Sequence, residues 1–256
     1  MKTVAGYVTR KSMLYITGVE YGDYTMNHVL GCAHGCTYPC YAFMLKRRFG
    51  IIKSYEDWLK PYLVSNTLEI LDKEIPKLRH KIKSVQLCFT TDPFMYGYGE
   101  ISNMSIQAIQ KLNNAGLKCS VLTKGILPSE LSLLSKLNEY GITLVSLDEN
   151  FRARMEPFSA PFNQRIDALK ELNDKGFYTW VSMEPYPTPN VVEQDLFALL
   201  ERVKFVKKII FGRTNYSKDS SSYSGHRSFY NEMTQHVINF CQANGIEYHI
   251  KDGTLT

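Results

Sequence analysis

Three of the chain's six cysteines, Cys32, Cys36 and Cys40, fall within nine residues, while Cys88, Cys119 and Cys241 stand singly. The disulfide framework of a secreted protein spreads its cysteines through a short chain, usually as pairs. Cysteines separated by three residues in a Gly-containing loop can instead turn their sulfurs towards one metal centre, since thiolates bind soft metals strongly. The segment Gly31-Cys32-Ala33-His34-Gly35-Cys36-Thr37-Tyr38-Pro39-Cys40-Tyr41-Ala42 therefore reads as a metal or cluster loop. Two chemistries fit it. One is a structural zinc site closed by Cys32, Cys36, Cys40 and His34, although no second cysteine knuckle exists in the chain. The other is an iron–sulfur cluster on three thiolates, with one iron open to a further ligand.

The elements that must position this loop repeat a strand–helix unit. Gly116, Gly141, Gly176 and Gly245 each follow a helical pattern and precede an apolar residue, the arrangement of a left-handed helix cap opening onto a strand. The helices before them carry Ala108, Ile109, Leu112 and Ala115, then Leu131, Leu134 and Leu137, then Ile166, Leu169 and Leu172. Further helices are predicted at about residues 191–203 and 228–243. Strands are predicted near 26–31, 84–90, 117–123, 142–147, 177–183 and 207–212. Such alternation implies βαβ units and a parallel sheet, and six units suit an open or partial barrel. The Ser-rich stretch 217–224 reads as a mobile loop.

In parallel α/β folds, function collects at the carboxyl ends of the strands. Those ends present the cysteine loop, Thr91-Asp92, Thr123-Lys124, Ser146 with Asp148, Glu184, and Arg213 with Asn215. Composition adds few constraints. The 256 residues are 44% hydrophobic and 21% charged, which excludes disorder and fibrous classes, and the net charge of +5 permits an acidic partner without requiring one. No apolar run approaches the roughly 20 residues of a membrane span, and the start of the chain shows no secretory signal. The expected location is the cytoplasm.

The ordered set resembles the radical S-adenosylmethionine (SAM) superfamily, and within it the spore photoproduct lyase-like group. The matching residues are the cysteine loop with Tyr41-Ala42, Thr91-Asp92-Pro93-Phe94 with Glu100, and Leu122-Thr123-Lys124. Glu156-Pro157 leading to Arg165 follows, then Pro185 through Pro189. The resemblance implies an α/β fold, a partial (β/α)6 barrel of the radical SAM type, in one domain over 1–256. Its core would span about 26–215, with a C-terminal helix and short strand within 226–256. It also implies a [4Fe–4S] cluster on Cys32, Cys36 and Cys40, with SAM on the remaining iron. Reductive cleavage would yield methionine and a 5′-deoxyadenosyl radical that abstracts substrate hydrogen. A flavodoxin or ferredoxin is the electron donor expected on the same ground.

The resemblance also suggests roles, each beside a plainer reading. Lys124 matches the partner of the SAM carboxylate, assisted by Ser146; its plain reading is a solvated strand-end lysine. Thr91 and Asp92 match the segment that receives the methionine amino group, or form a turn, which Asp-Pro favours. Glu156 and Arg165 are a SAM-proximal pair or an ion pair holding the fourth connection. Tyr38 lies against adenine or packs the loop, and His34 hydrogen-bonds near the cluster or sits at the surface. Tyr216, Tyr223, His226 and Arg227 cluster where the chain could close over a ligand.

Two departures from the family pattern stand out. Three residues rather than two separate Cys36 from Cys40, and Pro39 fixes the backbone before the third cysteine, moving Tyr38 one step back. Spore photoproduct lyases carry a hydrogen-returning cysteine where this chain has Phe89. Cys88 is one residue earlier, where a strand turns the side chain to the other face. That argues against thymine-dimer repair by the same chemistry. Cys88, Cys119 and Cys241 read as buried structural residues. Lys46-Arg47-Arg48, Lys207-Lys208, Arg213 and 17 tyrosines make nucleic acid a candidate substrate, beside peptides and small molecules. The reading from a different class is a non-catalytic zinc- or cluster-binding module.

Overall fold

Strands form where β-branched and aromatic runs lie, and helices where apolar residues recur every three or four positions. The computed structural model describes residues 2–255. Its strands are β1 (Gly6–Val8), β2 (Tyr15–Ile16), β3 (Tyr24–Met26), β4 (Val29–Leu30), β5 (Tyr62–Val64), β6 (Ser84–Leu87), β7 (Lys118–Thr123), β8 (Glu139–Thr143), β9 (Tyr178–Tyr186), β10 (Lys208–Arg213) and β11 (Glu247–Ile250). The helices are α1 (Tyr41–Arg48), α2 (Tyr55–Trp58), α3 (Thr67–Leu78), α4 (Gly99–Asn114), α5 (Glu149–Met155), α6 (Phe162–Asp174), α7 (Leu196–Arg202), α8 (Lys218–Ser221) and α9 (His226–Asn244). None among the described residues is long and apolar enough to cross a membrane.

The main sheet has eight strands in the order β11-β10-β9-β8-β7-β6-β3-β2. From β3 to β11 every neighbouring pair is parallel, and only β2 runs antiparallel, against β3. The six predicted strands correspond to β3 and β6 to β10, although the one expected at 142–147 starts earlier and ends at Thr143, and β11 adds a seventh parallel strand. Helices cover the outside. α4 buries Ile101, Ser105, Ala108, Ile109 and Leu112 on one face, and the chain then turns through Gly116 at φ +78° into β7. The result is the expected partial barrel, α/β with a curved parallel sheet that does not close by strand pairing.

The two free edges meet by charge instead. The Glu20 carboxylate, in the connection from β2 to β3, accepts from Lys251 Nζ at 2.7 Å and from His249 Nε2 at 2.8 Å, at the end of β11. Tyr21 beside it packs edge-on against Trp180 and His249. Glu20→Gln removes the charge of this latch. It is expected to cost about 1 kcal/mol, because the groups are only partly buried. Amide hydrogen exchange should rise in residues 17–23 and 247–251 and stay unchanged in β7 and β8.

Local expectations failed in three places. Gly141 is not a cap. It lies inside β8, where an added Cβ would stand 2.4 Å from the Trp180 ring, so glycine makes room for a neighbouring indole. The leucines before it form only a 3₁₀ turn, Ser129–Leu133, with Leu133 and Leu137 exposed. The strand predicted at 26–31 is broken after Met26. Asn27 leaves the ladder to accept from Thr90 N–H and Oγ1, and buried His28 pairs with Ser105 Oγ at 2.8 Å. The chain resumes as β4 in a separate sheet of order β1-β5-β4, so the cysteine loop starts from this small sheet. Within 217–224, Ser217 caps α8, and buried Ser220 bonds Thr188 Oγ1 at 3.0 Å, so the serines build an ordered turn.

Candidate active site

The cysteine loop is fixed from several directions. Gly31 takes φ +86° against the Lys60 and Trp58 carbonyls, where a Cβ would stand 2.6 and 2.9 Å away. Cys32 N–H donates to Trp58 O at 2.8 Å, and Tyr55 Oη donates to Cys36 O at 2.6 Å. On the other side, Thr37 N–H donates to Met155 O and Phe158 N–H to His34 O. The loop is thus held to α2 and to the segment after α5, and Cys40 forms the N-terminal boundary of α1. Cys32, Cys36 and Cys40 all line one cavity of about 500 Å³ at the carboxyl ends of the strands.

Asp92 ties the loop to the sheet. One oxygen accepts from His34 Nε2 and the Lys124 N–H, both at 2.8 Å. The other accepts from Thr123 Oγ1 at 2.6 Å and the Phe94 N–H at 2.8 Å. Burial raises its pKa, but these partners, His34 foremost, bring it below the usual carboxylate range. Both oxygens are filled, so Asp92 positions the loop and strand end, and a methionine amino group finds no free lone pair there. Buried His34 belongs to this network and not to the surface. Thr91 lines the cavity, with Oγ1 directed at Val29 O.

The strand end itself depends on Gly125. A Cβ there would stand 1.7 Å from the Phe94 carbonyl oxygen. Gly125→Ala is therefore expected to force the Asp92 turn and the end of β7 apart. It should cost about 1–3 kcal/mol in thermal unfolding.

Lys124 is not a solvated lysine. Its ammonium lies 2.7 Å from Glu156 Oε1, 3.6 Å from Cys36 Sγ and 4.4 Å from the Tyr38 ring centre, at the cavity wall. Glu156 Oε2 accepts from Arg165 at 2.8 Å, and both residues are fully buried. Arg165 also donates to the carbonyls of Ala160 and Thr143. Arg165 thus holds the connection between β8 and α6 and is not among the cavity-lining residues. Burial opposes the Glu156 charge, but Lys124 and Arg165 outweigh it and bring the pKa to about 2. Tyr38 donates to Glu156 Oε1 at 2.6 Å and lines the cavity. Ser146 is buried and accepts from the Asp148 N–H at the start of α5, away from the cavity.

Residues 26–203 match the Radical SAM superfamily. The chain belongs to the radical SAM superfamily. An uncharacterized protein of Acidianus two-tailed virus is 28% identical over 73% of this chain and 64% of its own length. One from Methanocaldococcus jannaschii is 25% identical over 70% and 66%. The chain thus spans just under two thirds of these relatives. A spore photoproduct lyase double mutant, solved with bound AdoMet and dinucleoside spore photoproduct, superposes over 96% of this chain and 80% of its own. The TM-score is 0.69 at 13% identity. Streptococcus suis SuiB bound to S-adenosylmethionine covers 71% and 42%, with a TM-score of 0.53 at 12% identity. These likenesses establish the radical SAM fold.

Membership implies SAM and an iron–sulfur cluster, and the donor set suits them. Burial pushes all three thiols up, Cys40 to about 11, so each must lose a proton on binding iron. Lys124 works against burial at Cys36 by favouring its thiolate. Among the described residues no three His, Cys, Asp or Glu side chains converge to hold a single metal ion. A cubane would take each thiolate at a different iron.

The radical SAM cavity also holds residues absent from the predicted set: Glu20, Tyr21, Gln86, Phe89, Ser182, Lys251 and Asp252. Glu184, Arg213 and Asn215, legible as strand-end residues, line it too. Thr143 and Ser182 stand in register on β8 and β9, and Glu184 follows two residues on, the spacing that returns a side chain to the same face. Period-two reading of β9 would have found that pair. Nothing in the sequence ties Glu20 to Lys251. Of the region expected to close over a ligand, Tyr216 lines the cavity, while Tyr223 and His226 pack on Phe229 and Tyr230. Cys88 reaches the wall, but its sulfur faces His28 Nδ1 at 3.5 Å, and Cys119 and Cys241 are fully buried.

Proposed function

We propose that this chain is a radical SAM enzyme in which Cys32, Cys36 and Cys40 hold a [4Fe–4S] cluster and SAM occupies the adjoining part of the cavity. The observation that carries this reading is three thiols of one loop lining a single large cavity while His34, the fourth candidate ligand, is turned through Nε2 to Asp92. When bound, the two groups supply one-electron cleavage of SAM to a 5′-deoxyadenosyl radical, which takes a hydrogen atom from the substrate. The chain's own residues bind, orient and shield. Lys124, held by Glu156, offers its charge to the methionine carboxylate. Asp92 keeps His34, Thr123 and the Lys124 backbone in place around that position.

The substrate belongs beside Tyr21, Phe89, Glu184 and Arg213 of the same cavity. Tyr21 and Phe89 pack edge-on at 5.9 Å and form an apolar wall that excludes water from the reacting centre. Glu184 and Arg213 line the same cavity and offer polar recognition. A nucleic-acid component is the substrate class we put forward, supported by this mixture of aromatic wall and hydrogen-bonding groups. The test is anaerobic purification with iron and sulfide analysis, then reduction with dithionite in the presence of SAM. The expected product is 5′-deoxyadenosine. Zinc without iron, or no SAM cleavage after reconstitution, refutes the reading.

A further inference from the structure

α1 packs Ala42 and Phe43 inward but leaves further apolar side chains in solvent. Only Ala42 of the helix is buried, while Tyr41, Met44 and Leu45 are exposed, followed by Phe49 at 68% and Ile51 at 50% exposure. Clustered exposed side chains of this size mark contact surfaces. Around them stand Lys46, Arg47, Arg48 and Lys53, and residues 41–54 contain no Asp or Glu. Among the described residues none of these four cations takes part in an ion pair. The helix begins at Cys40, the third cysteine of the loop.

We propose that the exposed face of α1 and the turn after it is the docking surface for an acidic one-electron carrier protein, and that electrons enter the site beside Cys40. This rests on the proposed function, which needs one electron per SAM cleaved. The carrier is oxidised by one electron, and that electron breaks the carbon–sulfur bond. An apolar centre inside a charged rim is the anatomy of a protein contact. Unpaired cations steer an acidic partner and speed its association. Nucleic acid fits less well, because Met44, Leu45 and Ile51 offer neither phosphate contacts nor stacking.

The experiment compares two reductants on the reconstituted full chain. Dithionite needs no docking surface; reduced flavodoxin and reduced ferredoxin do. Arg47→Glu/Arg48→Glu and, separately, Phe49→Ser should form 5′-deoxyadenosine with dithionite within about twofold of wild type. With the acidic carriers their rates should fall at least about tenfold, and the wild-type rate should drop steeply with salt. If the charge variant loses its cluster, Phe49→Ser decides by the same ratio. Unchanged or salt-insensitive carrier-driven rates overturn the proposal, as does a wild type that dithionite drives and neither carrier does. An oligonucleotide affinity or a self-association that the variants abolish, with carrier rates unchanged, also overturns it, in favour of nucleic acid or a second copy. Failure of dithionite to drive the wild type refutes the proposed function itself.

Discussion

Glu156→Gln is expected to be the most destabilising single substitution in the site, at about 3–5 kcal/mol in denaturant unfolding. Among the described residues the Glu156 carboxylate is the only acidic group ion-paired to Lys124 or Arg165, and it is fully buried between them. Glutamine keeps the volume but removes the charge, so two buried cations face each other without compensation, and an amide N–H group must point at one of them. Breaking a buried ion pair by deleting one member leaves the desolvation cost of the other unrelieved. The midpoint should fall with little change in slope if the change is confined to stability.

The same cluster sets an acid limit. The folded pKa of Glu156, at about 2, lies below its ordinary 4.5. A depressed carboxyl contributes stability that is fully present above the unfolded value and lost as pH falls through the folded one. Wild type should therefore lose this contribution between about pH 4.5 and 2. Glu156→Gln should lack that component of the acid transition, though Asp92, also depressed, still titrates. A wild type and a variant with superimposable acid profiles would refute the account.

Cys36→Ala is expected to abolish the chemistry. Cys36 is the thiol nearest the Lys124 ammonium, and it sits between two cysteines whose loop is pinned on both sides. Two thiolates leave two irons without protein ligands, so iron and sulfide per chain should fall after identical reconstitution. 5′-Deoxyadenosine formation should drop by about three orders of magnitude or more, as when one member of an interdependent set is removed. Cys241→Ala is the control, because Cys241 is buried in α9 away from the cavity. It should keep its iron and its SAM cleavage within about twofold of wild type, at a modest loss of stability. Equal losses in both variants would mean that the loop has no special part in holding iron.

The sequence by itself determined the elements whose signals are local. Cysteine spacing marked the loop, because ligands to one centre must be near each other and short separations ensure it. Glycines at 116, 176 and 245 marked helix ends, because a left-handed cap is a property of a few consecutive residues. The alternation of helices and strands implied the parallel sheet, and with it the rim that carries Asp92 and Lys124. Gly141 carries the same local signature as the three caps, and misled for that reason. Only its neighbour across the sheet, Trp180, says that the glycine is there for space.

Tertiary structure decided which rim residues act on one another. Asp92 has the same sequence context whether it meets SAM or saturates itself on His34, Thr123 and two backbone amides, and the choice follows from how β6 and β7 pack beside the loop. Ser146 lies near a strand end like its neighbours, yet the turn into α5 takes its hydroxyl away from the cavity. Glu20 and Lys251 stand 231 residues apart and meet because the curved sheet brings its two unpaired edges together. Contacts of that range are a product of sheet curvature and packing, which no window of sequence contains.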